Sequence, residues 1–174
     1  MKRIYLGLGS NLGRPLQYLG AGLQALQNLQ HASLIAVSRI YQTKPMGGPE
    51  QDDYFNLAAL IAYSGSLDEA LDHCQTIELC NQRLRTERWG PRTLDIDLLY
   101  AWNYVSNTPR LKIPHPRLTE RLFVLAPLLE LPEADTISIS GQALSEWAVQ
   151  QDQTQVQLTP YSWNGTDIVE LNTV

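Results

Sequence analysis

Cysteine is scarce in this chain, long apolar runs are missing and positive charge is not in excess, and each shortage removes a class of protein. The two cysteines, Cys74 and Cys80, are six apart, which is the spacing of neither a Cys-x-x-Cys redox pair nor a zinc site, and both fall in a predicted helix. They read as ordinary thiols of a reducing compartment. A chain of 174 residues buries about two-thirds of the surface that its unfolded form exposes, so it needs no disulfide to fold. No run approaches the ~20 apolar residues of a membrane span. Residues 1–10 lack a long apolar core behind their two basic residues, so no secretion signal is expected. The expectation is a soluble cytoplasmic protein. Repeats, linkers and low-complexity blocks are also missing, which leaves one domain over residues 1–158, with residues 159–174 as an extension of it.

The net charge of −5 argues against general nucleic-acid binding, for which a basic footprint is expected. Its distribution says more. Residues 83–121 hold eight basic residues (Arg83, Arg85, Arg88, Arg92, Arg110, Lys112, Arg117, Arg121) against four acids (Glu87, Asp95, Asp97, Glu120), a local +4 that leaves −9 for the rest. A basic segment with two aspartates at its centre suits a small polyanion better than a polymer.

What is present is concentrated in Arg88-Trp89-Gly90-Pro91-Arg92-Thr93-Leu94-Asp95-Ile96-Asp97. Residues 94–100 form an apolar, strand-like run, in which side chains two apart share a face, so Asp95 and Asp97 point the same way. Like charges so placed repel unless a cation sits there, and a pair of magnesium ions roughly 3.5–4 Å apart is the usual way to make such a pair favourable. Arg92, fixed by Gly90 and Pro91, presents a planar fork that matches phosphate oxygens. This is chemistry for a nucleotide and its metal. Exposed strand faces also carry Asp-x-Asp without metal, but phosphate-competent groups recur from Arg83 through Trp89 to His115, Arg117 and Arg121.

Element by element, residues 3–8 read as a strand ended by the turn-rich Gly9-Ser10-Asn11-Leu12-Gly13. A helix follows from Pro15, with Leu16, Leu19, Leu23, Leu26 and Leu29 on one face. Strands are predicted over 33–41 and 54–63, separated by a loop over 42–53 that is long enough to suggest function. Ser66 and Glu69 form a capping box for a second helix with a stripe of Leu67, Ala70, Leu71, Cys74 and Ile77. With the Asp95–Asp97 strand the order is β-α-β-β-α-β, the ferredoxin-like sequence of an α+β fold with an antiparallel sheet. Helices predicted at 122–131 and 141–150 would cover the second face, making an α/β/α sandwich. Runs at 156–163 and 166–171 flank Asn164-Gly165, a hairpin signal.

Other residues have two readings each. Gln75 and Glu78 share a helix face and could be plain surface. His115, between Pro114 and Pro116, is stiffly held and could donate to a phosphate or a base-side oxygen. Trp89 is a packing anchor or a stacking residue. Tyr54 and Phe123 read as packing, while Asn56 is a polar residue inside an apolar strand and needs a partner if buried.

Taken together these blocks resemble the 6-hydroxymethyl-7,8-dihydropterin pyrophosphokinase family over roughly residues 2–150. The resemblance rests on Gly7-Leu8-Gly9-Ser10-Asn11-Leu12-Gly13, Thr43-x-Pro45-x-Gly47, Tyr54-x-Asn56, Ile77-Glu78, Arg83-x-Arg85, the 88–97 block, Pro114-His115-Pro116-Arg117 and Arg121-x-Phe123-Val124-Leu125-x-Pro127-Leu128. It implies transfer of pyrophosphate from ATP to a pterin alcohol in folate biosynthesis, with release of AMP. It implies that Asp95 and Asp97 hold two magnesium ions (Mg2+), and that Thr43, Pro45, Met46, Tyr54, Asn56, Trp89 and Phe123 form the pterin pocket. ATP would be met by Gln75, Glu78, Arg83, Arg85, Trp89, Arg92, Ile96, Leu98, His115, Arg117 and Arg121. Arg83, Arg92 and Asp97 would carry the catalysis, by in-line displacement at the β-phosphorus with Asp97 as the nearest thing to a base. A monomer acting on small molecules, with neither nucleic acid nor membrane as partner, is implied.

The chain departs from the family pattern at Asn81-Gln82, where a helix-ending glycine is usual, and at Asp52-Asp53, which add negative charge that Lys44 offsets in part. Residues past about 155 are not covered. Two rival readings are a nucleotidyltransferase that moves AMP and releases pyrophosphate, and a ferredoxin-like module that binds a pterin or nucleotide without turnover.

Overall fold

In the computed structural model, residues 1–45, 47–83 and 90–171 are described. Strand β1 (Lys2–Ser10) leads into helix α1 (Pro15–Gln27), and β2 (Ala32–Val37), β3 (Tyr41–Thr43) and β4 (Tyr54–Tyr63) follow; helix α2 (Leu67–Cys80) then returns the chain to β5 (Asp95–Ala101), beyond which β6 (Ser106–Asn107) and β7 (Lys112–Ile113) pair as a short hairpin. The sheet is antiparallel, in the order β3-β4-β1-β5 with β2 also on β4. That is the ferredoxin-like arrangement expected of an α+β chain.

Alternation along the strands sorts the core into two layers. Leu6, Leu8, Leu57, Ala59, Ile61, Ile96 and Leu98 face α1 and α2, where they meet Leu19, Leu23, Leu26, Ala70, Cys74 and Ile77. Pro15 starts α1, and the capping box of Ser66 and Glu69 starts α2, each satisfying or removing donors that a helix N-terminus would leave unpaired. Leu29 lies beyond the end of α1 and is only partly buried. On the opposite face Tyr5, Ala58, Leu60 and Leu99 pack under α3 (Leu122–Leu128) and α4 (Leu144–Val149).

Four expected elements differ. The strand expected over 33–41 is split between β2 and β3. Register shifts by one residue between Leu34 and Ala36, and by one more before Tyr41, which pairs with Asn56. Each extra residue breaks the ladder and reverses the facing of those after it, so the edge folds over β4 instead of running straight along it. Ile35, the first such residue, is exposed. The helix expected over 141–150 starts only at Leu144, because Ser140 and Gly141, both at positive φ, turn a short hairpin of β8 (Ser138–Ile139) and β9 (Gln142–Ala143). The helix expected over 122–131 ends at Leu128, although Leu131 remains in the core.

The run over 156–163 also divides. β10 (Val156–Leu158) joins the main sheet beside β3, and Thr159-Pro160 then breaks the strand, since proline has no N–H for the ladder. β11 (Tyr161–Trp163) and β12 (Ile168–Glu170) make the hairpin signalled by Asn164-Gly165. Tyr161, Trp163 and Ile168 rest on the core layer of α1, and Gln24 donates to the Thr166 carbonyl at 2.7 Å. Among the described residues no helix is long and apolar enough to cross a membrane.

Candidate active site

Along the face that carries α3 and α4, the same alternation that builds the core also builds a cavity. β1 presents Tyr5, then Gly7 and Gly9; β5 presents Leu99, then Asp97 and Asp95; β4 presents Leu60 and Ala58, then Asn56 and Tyr54. Gly7 pairs with Asp97, and Gly9 pairs with both Asp95 and Asn56. Where the glycines stand no side chain fills the space above the sheet. A Cβ at Gly9 would lie 2.9 Å from Asn56 Oδ1, and one at Gly7 3.3 Å from Leu99 Cδ1. The result is a cavity of about 210 Å³, floored by Gly7 and Gly9, walled by Thr43, Pro45, Gln51 and Tyr54, and roofed by Arg121, Phe123 and Val124.

Its residues Asn56 and Tyr54 are held by hydrogen bonds. Asn56, 6 % exposed, donates from Nδ2 to Thr43 Oγ1 at 2.9 Å, which answers the question of its partner. The Tyr54 hydroxyl is within hydrogen-bond distance of Gly90 O, 3.1 Å, and Gln51 Oε1, 3.2 Å, and burial raises its pKa. Asn11 joins the segments around it: its Nδ2 donates to Gln51 Oε1 and to the Asp52 carbonyl, each at 2.9 Å, and its Oδ1 accepts from the Arg92 N–H at 2.8 Å.

The charged side is built around Asp95. Arg83 spans Glu78 and Asp95, with Nη2 2.6 Å from Asp95 Oδ1, and Arg92 pairs with Asp95 Oδ2. Glu78 Oε1 also accepts the Ile96 N–H at 2.7 Å. Asp97 has no ion pair among the described residues. Burial first, then Asp95 and Glu78, pushes its carboxyl up to about 7. Burial, with Arg121 and Arg117, lowers the pKa of His115, whose Nδ1 accepts the Arg117 N–H at 3.2 Å; the neutral ring therefore carries its proton on Nε2. Arg117 pairs with Glu120 at 3.1 Å, whereas the Arg121 guanidinium lies 5.6 Å from the centre of the Phe123 ring.

Of the residues singled out from sequence, Thr43, Pro45, Tyr54, Asn56, Arg92, Asp95, Asp97, Arg117, Arg121 and Phe123 line this one cavity. Arg83 and Glu78 adjoin it through Asp95. Gln75 and Glu78 share a helix face by spacing but part company in the fold: Gln75 is exposed and Glu78 buried. The side chains of Ile96 and Leu98 belong to the core on the opposite face, which leaves their backbone as the part that could meet a ligand. Met46, Arg85 and Trp89 lie outside the described residues. Sequence reasoning did not identify Gly7 and Gly9 as the floor or Asn11 as the tie. Glycines two apart in an apolar strand were the available signal.

Asp95 and Asp97 offer hard oxygen ligands on one face, and Asp97 is a half-buried carboxylate with no ion pair among the described residues, so this donor set fits magnesium. Among the described residues no group of three or more acidic, histidine or cysteine side chains is assembled for a metal. Nucleotide phosphates and water would have to complete the coordination.

Comparison with known proteins agrees with this geometry. Residues 5–133 match the family model described as 7,8-dihydro-6-hydroxymethylpterin-pyrophosphokinase. The 2-amino-4-hydroxy-6-hydroxymethyldihydropteridine pyrophosphokinase of Haemophilus influenzae is 38 % identical over 157 residues, covering 90 % of this chain and 98 % of that protein. Its Pseudomonas aeruginosa counterpart is 43 % identical over 132 residues, covering 75 % and 81 %. Among solved structures, the wild-type HPPK-DHPS protein of Plasmodium falciparum superposes with a TM-score of 0.67 at 12 % identity over 98 % of this chain, which spans about half (49 %) of that longer chain. At that identity the likeness is one of fold.

Proposed function

The chain belongs to the 7,8-dihydro-6-hydroxymethylpterin-pyrophosphokinase family, and from that premise we propose how this pyrophosphokinase of folate biosynthesis performs its transfer. ATP gives its terminal pyrophosphate to the hydroxymethyl oxygen of 6-hydroxymethyl-7,8-dihydropterin by in-line attack at the β-phosphorus: the new O–P bond forms as the bond from the β-phosphorus to the bridging oxygen of the AMP moiety breaks, AMP leaves, and the hydroxyl proton passes to Asp97, the nearest acceptor. The observation that carries this reading is the meeting, in one cavity, of the carboxylates Asp95 and Asp97 with the aromatic rings of Tyr54 and Phe123.

The pterin lies between Tyr54 and Phe123, whose rings supply two π faces, while Asn56, fixed by Thr43, reads its polar edge and Thr43 and Pro45 close the pocket; the family resemblance adds Met46 and Trp89 as pterin contacts. ATP runs along the basic side, its phosphates met by Arg83, Arg85, Arg92, Arg117 and Arg121, whose forks suit phosphate oxygens. The outer edge of β5 suits the base: the Ile96 N–H already points outward to Glu78, and by alternation the backbone of Leu98 does too. His115, neutral with its proton on Nε2, and Gln75 complete that side. Asp95 and Asp97 would hold two magnesium ions, which would supply positive charge against the polyphosphate. The rest of the catalysis is orientation and charge stabilisation by Arg83 and Arg92, without a covalent protein nucleophile.

The protein works in the cytoplasm, a reading supported by its two free thiols, one of them exposed, and it acts as a monomer. Product analysis with ATP, magnesium and the pterin alcohol tests the proposal. AMP and a pterin diphosphate in equal amounts are expected. Pyrophosphate release would favour nucleotidyl transfer, and binding without turnover would favour a non-catalytic module.

A further inference from the structure

Arg83 is stored in a place where it cannot meet a phosphate. Its side chain is 7 % exposed and lies between two carboxylates, Glu78 and Asp95, of which Glu78 is 5 % exposed and anchored in turn by the Ile96 N–H. Arg92 takes the second oxygen of Asp95. Both oxygens of Asp95 are therefore engaged by guanidinium groups, while Asp97, on the same face, is unpaired among the described residues. The storage is imperfect: Arg83 Nε is buried with no hydrogen-bond partner, and a buried donor left so opposes the arrangement that buries it.

We infer that Arg83 is an internal counterion that occludes Asp95 while the nucleotide is absent, and that it exchanges places with a divalent cation when a polyphosphate draws its guanidinium away. The inference rests on the proposed role of Asp95 and Asp97 as metal ligands. A guanidinium and a hard cation compete for the same carboxylate oxygens, and a polyphosphate and Asp95 compete for the same arginine fork. Each ligand thus removes what opposes the other. Binding of metal and nucleotide is then cooperative beyond their association with each other in solution, and by reciprocity each strengthens the other's binding to the protein by the same factor. The fork matters as well as the charge, since a lysine cannot bridge Glu78 and Asp95 in the same way.

The test is Mn2+ binding to the full-length, nucleotide-free protein, followed by the electron paramagnetic resonance of free Mn2+. Arg83→Met should bind Mn2+ about 10-fold more tightly than wild type, within the usual range of such couplings. Arg83→Lys, which keeps the charge and guards against failure of the first variant to fold, should shift the same way. Arg121→Met, which removes equal charge from near Asp97 without touching Asp95, should change affinity less than either. Equal gains in Arg83→Met and Arg121→Met, or no gain in Arg83→Lys, would reduce the effect to general field and overturn the inference. A parallel titration with a non-hydrolysable ATP analogue separates the underlying reading: if Mn2+ binding there survives Asp97→Asn undiminished, the metal assignment itself is wrong and the occlusion idea falls with it.

Discussion

One face of the sheet has two ends that share strands, register and alternation, yet one is solid and the other hollow. At the closed end Tyr5, Leu60 and Leu99 stand under Leu122, Leu125 and Leu128, and all six are at most 2 % exposed. At the open end β1 carries Gly7 and Gly9, and the neighbouring strands carry Asn56, Asp95 and Asp97. The backbone ladder continues unchanged from one end to the other. What changes is volume and polarity, so the site is a core from which side chains have been withdrawn and into which carboxylates have been set. The closed end supports that arrangement, because a half-buried carboxylate such as Asp97, with no ion pair among the described residues, is itself unfavourable to folding.

The contrast predicts that the two ends respond differently to substitution. The largest effect is expected at Asp97. Asp97→Ala should lower kcat by about 10³-fold or more, the scale of losing a principal charge-stabilising group, with the circular-dichroism spectrum unchanged. Retained activity in a steady-state assay would remove Asp97 from the mechanism. At the closed end the reverse should hold: Leu125→Ala, which empties a fully buried site, should cost about 2–5 kcal/mol of stability in urea unfolding while the activity per folded molecule stays near wild type.

Gly9→Ala probes the boundary between the ends. Its Cβ would collide with Asn56 Oδ1, so kcat/KM for the pterin should fall by about 10²-fold, as for a displacement of about 1 Å at a reacting site. Calorimetric binding of an ATP analogue should be nearly unaffected; an equal loss for both ligands would mean that the floor does not distinguish them.

A smaller effect should appear with pH. Asp97 has a carboxyl raised to about 7 in the folded protein, against about 3.9 in an unfolded chain. Its contribution to stability is therefore fully present below about pH 4 and lost as pH rises through 7. The ligand-free protein should lose thermal stability across that window, and Asp97→Asn should flatten the decline. A wild-type profile that rises from pH 5 to 7.5 by an amount the variant does not share would contradict the sign. The smallest effect concerns the edge of the open end. Gln82 leaves α2 at φ +61, where glycine carries no Cβ penalty, so Gln82→Gly should stabilise by no more than about 1 kcal/mol once its chain entropy is counted. Equilibrium unfolding would read this directly.

Much of this was legible before the fold. The capping box of Ser66 and Glu69, the hairpin at Asn164-Gly165 and the shared face of Asp95 and Asp97 depend on spacings of one to three residues, and those short-range rules held. Ten of the residues grouped by their resemblance to a family line one cavity, because the pattern behind that resemblance encodes tertiary contacts; Gln75, exposed on its helix, and Ile96 and Leu98, with side chains in the opposite core, do not. The split of the 33–41 strand was not legible, because a bulge is defined by the partner strand and not by the bulged one. Nor was the fate of Glu78, which spacing makes equivalent to Gln75 and which only the arrival of Arg83 and the Ile96 N–H makes buried and paired.

By itself, then, the sequence determined the periodic elements, the α+β order, the paired aspartates and the basic surroundings that suit a polyphosphate, since each follows from residues close together in the chain. Tertiary structure alone decided that Gly7 and Gly9 lie beside Asp97 and Asp95, that Asn11 ties Gln51 to Arg92, and that both oxygens of Asp95 are held by arginines. Those facts depend on which strand lies next to which and in what register, and a register is chosen by burial over the whole sheet rather than by any one segment of it.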